Sequence, residues 1–162
     1  MKVRIYTDGA CSCNPGPGGW SYLVSVKEKI IIRSGGENNT TNNRMELLAV
    51  VKSLQKMLKK WKTINKHNDF NEIEILSDSA YVVNAVNMNW LQSWKQKKWK
   101  TSNNEDVKNV DLWKQLDELF YNFKKMHIII SFTKVKGHAG NTFNEMCDEA
   151  ARKEVQKIKG EC

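Results

Sequence analysis

Polar and apolar residues alternate through Lys2-Val3-Arg4-Ile5-Tyr6, the period of two that marks a half-buried strand, and Asp8 follows where the chain enters a turn rich in Gly and Pro. Residues 21–26 and 30–33 read as two further strands. The short Lys27-Glu28-Lys29 between them predicts a hairpin, so the first three strands form an antiparallel meander. A polar loop, residues 35–43, then leads into a helix with Leu47, Val50, Val51, Leu54, Met57, Leu58 and Trp61 at the 3.6-residue period. Residues 63–71 are polar and loop-like, and residues 73–78 read as a strand of the sheet interior. Helical patterns continue to about Lys124, interrupted by the polar stretch 101–106. Residues 128–132 form a last strand, and a final amphipathic helix carries Phe143, Cys147, Ala150, Ala151 and Val155. Three strands, helix, strand, helices, strand, helix is the order of an α/β domain with a mixed sheet and helices packed on it.

At 162 residues the chain predicts a single domain, 1–162, able to bury a core without disulfide or metal staples. Lys and Arg total 26 against 18 acidic residues, a net charge of +8 that predicts attraction to a polyanion, either nucleic acid or an anionic membrane surface. No apolar run approaches the length of a membrane span, and the first residues already read as a strand rather than a signal peptide, so a cytoplasmic protein is expected. Cys11, Cys13, Cys147 and Cys162 are then expected as reduced thiols. The C-x-C pair Cys11 and Cys13 lacks the partners that a tetrahedral zinc site needs, and a disulfide between residues two apart on extended chain is strained.

Four carboxylates fall at element ends or on helix faces: Asp8 on the first strand, Glu46 near the start of the first helix, Asp78 at the end of the fourth strand, and Asp148 on the last helix. The first and fourth strands are plausible neighbours, which would set Asp8 and Asp78 side by side. Hard divalent cations take oxygen ligands, and Mg²⁺ binds a few carboxylates while keeping waters and substrate phosphate oxygens. Two such ions about 4 Å apart activate a water and stabilise the leaving oxygen of a phosphodiester. Taken singly, each acid reads first as a solvated surface charge or a helix-terminus residue, and spacing alone does not show convergence.

Five blocks, in order along nearly the whole chain, resemble type 1 ribonuclease H. They are Thr7-Asp8-Gly9, Asn14-Pro15-Gly16-Pro17-Gly18-Gly19, Asn42-Asn43-Arg44-Met45-Glu46-Leu47, Asp78-Ser79, and Val135-Lys136-Gly137-His138 with Asn144-Glu145-Met146-Cys147-Asp148. Residues 90–100 and 107–113 are similar to the basic protrusion of the bacterial members. The resemblance implies a ribonuclease H-like fold, a five-stranded mixed sheet with helices on both faces. It implies cleavage of the RNA strand of an RNA–DNA hybrid, leaving 5′-phosphate and 3′-hydroxyl ends. It also implies two Mg²⁺ ions, with Mn²⁺ as substitute, on Asp8, Glu46, Asp78 and Asp148, a proton-transfer or product-release role for His138, and a monomer. Asn14, Asn42 and Asn43 match contacts to the RNA strand, with Glu46 near a 2′-hydroxyl, the group by which a protein tells RNA from DNA. Thr41 and Asn109 match positions that hold a phosphate of the DNA strand. Two features depart from the family pattern: Cys13 stands where relatives carry a small residue, and the loop 63–71 is long. A separate N-terminal hybrid-binding domain is not expected.

Trp90, Trp94, Trp99 and Trp113 cluster beside Lys95, Lys97, Lys98 and Lys100. Lysines neutralise phosphates and indoles pack on sugars or bases, but on the residues alone the favoured reading is tryptophans packing a helical hairpin beside solvated lysines. The resemblance to the protrusion is what implies a hybrid-binding surface through Trp90, Trp94, Lys95, Lys97 and Lys98, with Trp113 structural. The interleaving of lysine and tryptophan in a segment that matches the protrusion argues against a membrane surface. The rival readings are a non-catalytic hybrid-binding module, which a missing carboxylate would favour, and a DNA-acting nuclease of the same fold. The Asn cluster and the basic segment favour the hybrid.

Overall fold

The computed structural model describes residues 2–67, 69–136 and 141–160. Five strands, β1 (Lys2–Cys11), β2 (Gly16–Val26), β3 (Lys29–Thr40), β4 (Glu72–Ser77) and β5 (Ile129–Lys134), form one sheet in the order β3-β2-β1-β4-β5. β1 runs antiparallel to β2 and parallel to β4, β2 antiparallel to β3, and β4 parallel to β5. The helices are α1 (Asn42–Ile64), α2 (Ala80–Asn87), α3 (Trp90–Gln96), α4 (Val110–Lys125) and α5 (Thr142–Lys159).

Side chains alternate across a strand, so a sheet covered on both faces must divide its apolar residues between two cores. Val3 and Ile5 of β1 and Ile73 and Ile75 of β4 pack in one cluster with Leu47, Val50 and Leu54 of α1 and with Trp113, Leu116 and Phe123 of α4. Tyr6 and Leu76, of opposite parity on the same strands, join Leu23, Cys147 and Phe143 in a second cluster against α5. This is the mixed sheet with helices on both faces that the sequence predicts.

Several boundaries differ from the sequence reading: β1 runs on to Cys11 and β2 starts at Gly16, taking in part of the expected Gly- and Pro-rich turn, and three others have a clear physical reason. Residues 35–40 belong to β3 rather than to a loop, because β3 is an edge strand whose polar side chains face solvent and give no hydrophobic signal. Gly35 pairs with Trp20 there, and a Cβ on it would lie 2.6 Å from the indole ring, so a residue that reads as a turn former instead makes room for Trp20. The break between α3 and α4 spans 97–109, wider than 101–106. It contains four non-glycine residues of positive φ, Lys98, Trp99, Asn104 and Asn109, a backbone state that the hydrophobic pattern does not report. β5 starts at Ile129 and runs to Lys134, because its ladder with β4 extends to the Ser77–Lys134 pair. The stretch after α1 is closed on itself: Asn65 Oδ1 accepts from Phe70 N at 2.8 Å, and Phe70 inserts into the core.

Candidate active site

The parallel pairing of β1 with β4 ends at Thr7 opposite Ser77, so Asp8 and Asp78 are the next residues out on adjacent strands. The carboxyl ends of parallel strands are where α/β sheets place ligands. Asp8 Oδ1 accepts from Gly9 N at 2.9 Å, and the Ser79 hydroxyl that follows Asp78 caps α2 by accepting from Val82 N at 3.2 Å. Glu46 arrives from α1 because strand and helix backbones touch at Gly9: a Cβ there would lie 2.4 Å from Glu46 N. Only glycine permits that approach. Thr41 caps α1, its hydroxyl accepting from Arg44 N at 3.2 Å, and Asn14 Oδ1 accepts from Asn42 N at 2.8 Å, tying the turn after β1 to the helix that carries Glu46.

One carboxylate oxygen from each of Asp8, Glu46 and Asp78 lies within 4.8 Å of the others. Asp8 and Glu46 are each only 4% exposed. Burial, then the neighbouring Asp78 charge, push the Asp8 carboxyl up to about 7. Burial, then Asp8 and Asp78, hold Glu46 well above the usual carboxylate range. Glu46 Oε2 is buried with no hydrogen-bond partner. A buried, unpartnered carboxylate oxygen facing two other acids is costly as it stands and is offset by a cation. The donor set is all oxygen, which suits a hard divalent ion. The residues therefore fit a metal. Among the described residues Cys11, Cys13 and Cys147 form no disulfide, and Cys11 Sγ donates to Thr40 O at 3.3 Å.

Asp148 stands one step outside this triad. It is on α5, which Asn141 caps and which the Ser21 hydroxyl fixes under the site by donating to Cys147 O. The Asp148 Oδ2 pairs with Arg152 at 2.8 Å, and its charge still contributes to raising Asp8. His138, expected as the loop histidine, lies outside the described residues.

The expected nucleic-acid residues divide by exposure. Asn14, Asn42, Asn43, Trp90, Lys95, Lys97 and Lys98 are exposed and Thr41 is half-buried. Trp94 is half-buried and packs on Trp113 at 5.3 Å between ring centroids, and Trp113 is fully buried, structural as expected. Lys95 Nζ is 3.2 Å from Asp117 of α4. Asn109 precedes α4 in the left-handed region, φ 59°, and its side chain makes no capping hydrogen bond to the helix it begins.

Two residues of this neighbourhood carry no expected role in the sequence reading, Arg44 and Tyr81. Arg44 donates to Asn109 Oδ1 at 3.3 Å and to both Asp111 oxygens at 3.0 and 2.7 Å, and Tyr81 Oη accepts from Asn109 Nδ2 at 3.1 Å. A signal for Arg44 exists in the sequence. It falls in the first turn of α1, where the helix dipole disfavours a cation, and α1 has no acidic residue in that turn. A cation there implies a partner from elsewhere in the fold.

The sequence profile of the RNase H family matches residues 1–156. The chain belongs to the ribonuclease H family. It is 47% identical over 156 residues to the ribonuclease H of Acetivibrio thermocellus, covering 96% of each chain. It is 46% identical over 158 residues to the ribonuclease H of Caldicellulosiruptor saccharolyticus, covering 98% of this chain and 99% of the relative. The fold is also that of LC11-RNase H1 solved in complex with an RNA/DNA hybrid, with a TM-score of 0.67, 19% identity, and coverage of 97% of this chain and 99% of that one. Within this ribonuclease H fold Asp8, Glu46 and Asp78 form an acidic cluster able to hold a metal ion, with Asp8 and Glu46 buried and Asp78 half-buried.

Proposed function

We propose that this protein is an endonuclease that hydrolyses the RNA strand of RNA–DNA hybrids, leaving 5′-phosphate and 3′-hydroxyl ends. The observation that carries the reading is the convergence of Asp8, Glu46 and Asp78, the first two buried, with one oxygen of each mutually within 4.8 Å, in a chain of the ribonuclease H family. Asp8, Glu46 and Asp78 hold divalent metal, Mg²⁺ by choice and as a pair when substrate is bound, and Asp148 completes the set from α5. Metal bound there supplies activation of a water and stabilisation of the departing 3′-oxygen.

The chain's own residues do the rest. Gly9 and the Thr41 cap keep Glu46 against β1, so the carboxylates stay at fixed separations on rigid elements. Asn14, Asn42 and Asn43 contact the RNA strand, the first two tied by the Asn42 N–H donating to Asn14 Oδ1, with Glu46 near a 2′-hydroxyl. Asn109 and Thr41 hold a phosphate of the DNA strand. Lys95, Lys97, Lys98, Trp90 and Trp94 engage the duplex backbone, which gives affinity with little sequence preference. His138 assists proton transfer or product release. The protein acts as a monomer in the cytoplasm, as one catalytic domain over residues 1–162. Among the described residues no helix is long and apolar enough to cross a membrane.

Cleavage of a strand-labelled RNA–DNA hybrid, beside duplex RNA and duplex DNA, in Mg²⁺, Mn²⁺ or chelator, tests the reading. Metal-dependent cutting of the RNA strand alone is expected, and Asp8→Asn loses it. Tight hybrid binding without cutting in either metal would leave only a binding module.

A further inference from the structure

Asn109 adopts a conformation that needs a reason. It is the residue before α4, where an Asn side chain ordinarily bends back to accept from the first helical N–H groups. Here φ is 59° and ψ 29°, and the side chain makes no capping bond. Left-handed backbone in a residue other than glycine carries a cost, smaller for Asn than for most, and such costs gather at working sites. The amide is instead gripped at both ends. Arg44 Nη1 donates to Oδ1 at 3.3 Å, and Nδ2 donates to the Tyr81 hydroxyl at 3.1 Å. The grip fixes which way round the amide lies and uses only one of the two Nδ2 hydrogens.

Both grips are themselves held. Arg44 makes a two-pronged contact with Asp111, at 3.0 and 2.7 Å, and its Nε lies 3.7 Å from Glu37 of β3. Tyr81 Oη accepts a second bond from Trp113 Nε1 at 3.1 Å, and the two rings meet edge to face at 5.6 Å. Trp113 in turn touches Trp94 of α3. Position along the chain gives these contacts their meaning. Arg44 is two residues before Glu46 in the first turn of α1, and Tyr81 is three residues after Asp78 in the first turn of α2. The same two helix starts that deliver triad carboxylates thus clamp one amide on α4.

We propose that Arg44 and Tyr81 are positioning residues that hold the Asn109 amide in fixed register with Glu46 and Asp78, so that the grip on a DNA-strand phosphate sets which RNA phosphate reaches the carboxylates. This rests on the reading of Asn109 as a DNA-phosphate contact. A frame built from an arginine fork and a phenol keeps the spacing between the two strands' phosphates constant.

The test uses RNA–DNA hybrids in which one DNA phosphate at a time is a neutral methylphosphonate, cut by the wild type and by Arg44→Met, Arg44→Lys, Tyr81→Phe and Asn109→Ala. With the wild type, KM rises roughly tenfold at one register relative to the cut, as expected when one charge-assisted hydrogen bond is removed. With Asn109→Ala that register loses its penalty. With Arg44→Met and Tyr81→Phe the penalty falls to about twofold or less, and cut sites spread to neighbouring phosphates, while Arg44→Lys, which keeps charge without the fork, falls between. A merely structural arginine would lower thermal stability and leave the register penalty intact. The clamp is overturned if Arg44→Met and Tyr81→Phe, folded by circular dichroism, keep the full wild-type penalty while Asn109→Ala has lost it. Absence of any register penalty in the wild type, or its persistence in Asn109→Ala, overturns the Asn109 reading and the clamp with it.

Discussion

Asp8, Glu46 and Asp78 stand at the middle of the sheet, two of them almost sealed from solvent, each delivered by a strand end or helix whose backbone is pinned to its neighbours. Lys97, Lys98 and Trp90 stand on the α3 side of the molecule, exposed, around a connection that turns through residues of positive φ rather than through packed elements. The contrast is one of task. Chemistry on a phosphodiester needs atoms held to a fraction of an ångström, and only a buried, over-determined site provides that. Capture of a polyanion needs charge, tolerates imprecision, and works best where lysines remain solvated and mobile. The acids accordingly carry a large electrostatic cost that a bound cation would offset.

Breaking the first region should have the largest effect. Asp8→Asn, Glu46→Gln or Asp78→Asn is expected to lower kcat by more than about 100-fold, since even groups that only support metal ligands cost 10–100-fold. Single-turnover cleavage of labelled hybrid checks this, and hybrid affinity should change far less than kcat. The same Asp8→Asn should stabilise the metal-free protein. Asp8 titrates at about 7 in the fold against an ordinary value near 3.8, so the stability it confers when protonated is lost as pH rises through about 7. In chelator the wild-type melting temperature should therefore fall between pH 5 and pH 8, and Asp8→Asn at pH 8 should melt roughly 5–10 °C higher than wild type. Added Mg²⁺ reverses the sign: its stabilisation should grow from pH 5.5 to 8, because binding displaces the proton. Equal Mg²⁺ shifts at both pH values, read by calorimetry, would contradict a proton-linked site.

The same contrast governs how much of the molecule was legible in its sequence. The strand pattern at Lys2–Tyr6 and the helical period through Leu47 to Trp61 are set by local periodicity, and the α/β order with a mixed sheet followed from them, whereas helices on both faces were implied by the family resemblance and the second core around Tyr6 emerged only in the fold. The pairing of Asp8 with Asp78 followed from the expectation that β1 and β4 are neighbours. Residues 35–40 were hidden because an edge strand needs no apolar face, and the width of the 97–109 connection because positive φ at Lys98 and Trp99 leaves no mark on hydrophobicity. Arg44 and Tyr81 were hidden for another reason. Their shared partner Asn109 lies 65 and 28 residues away, and a hydrogen bond across that distance has no periodic signature.

Breaking the second region should have moderate effects, graded by how free each lysine is. Lys97→Ala and Lys98→Ala are expected to raise KM severalfold and to reduce the slope of log KM against log salt by about one for each phosphate no longer neutralised, with kcat nearly constant. Lys95 is different because Asp117 holds its ammonium at 3.2 Å. An exposed pair of this kind is worth about 0–1 kcal/mol, so Lys95 is only partly committed, and Lys95→Ala should raise KM by less than the other two. Asp117→Asn sharpens the comparison, since it releases Lys95 toward the duplex and should lower KM by up to about twofold while steepening the salt dependence. Glu118→Gln, next along α4 and exposed, removes the same charge without releasing Lys95. A larger drop in KM for Asp117→Asn than for Glu118→Gln assigns the gain to Lys95 itself. Equal drops would assign it to the overall charge of the face, and the distinction between held and free lysines would fail.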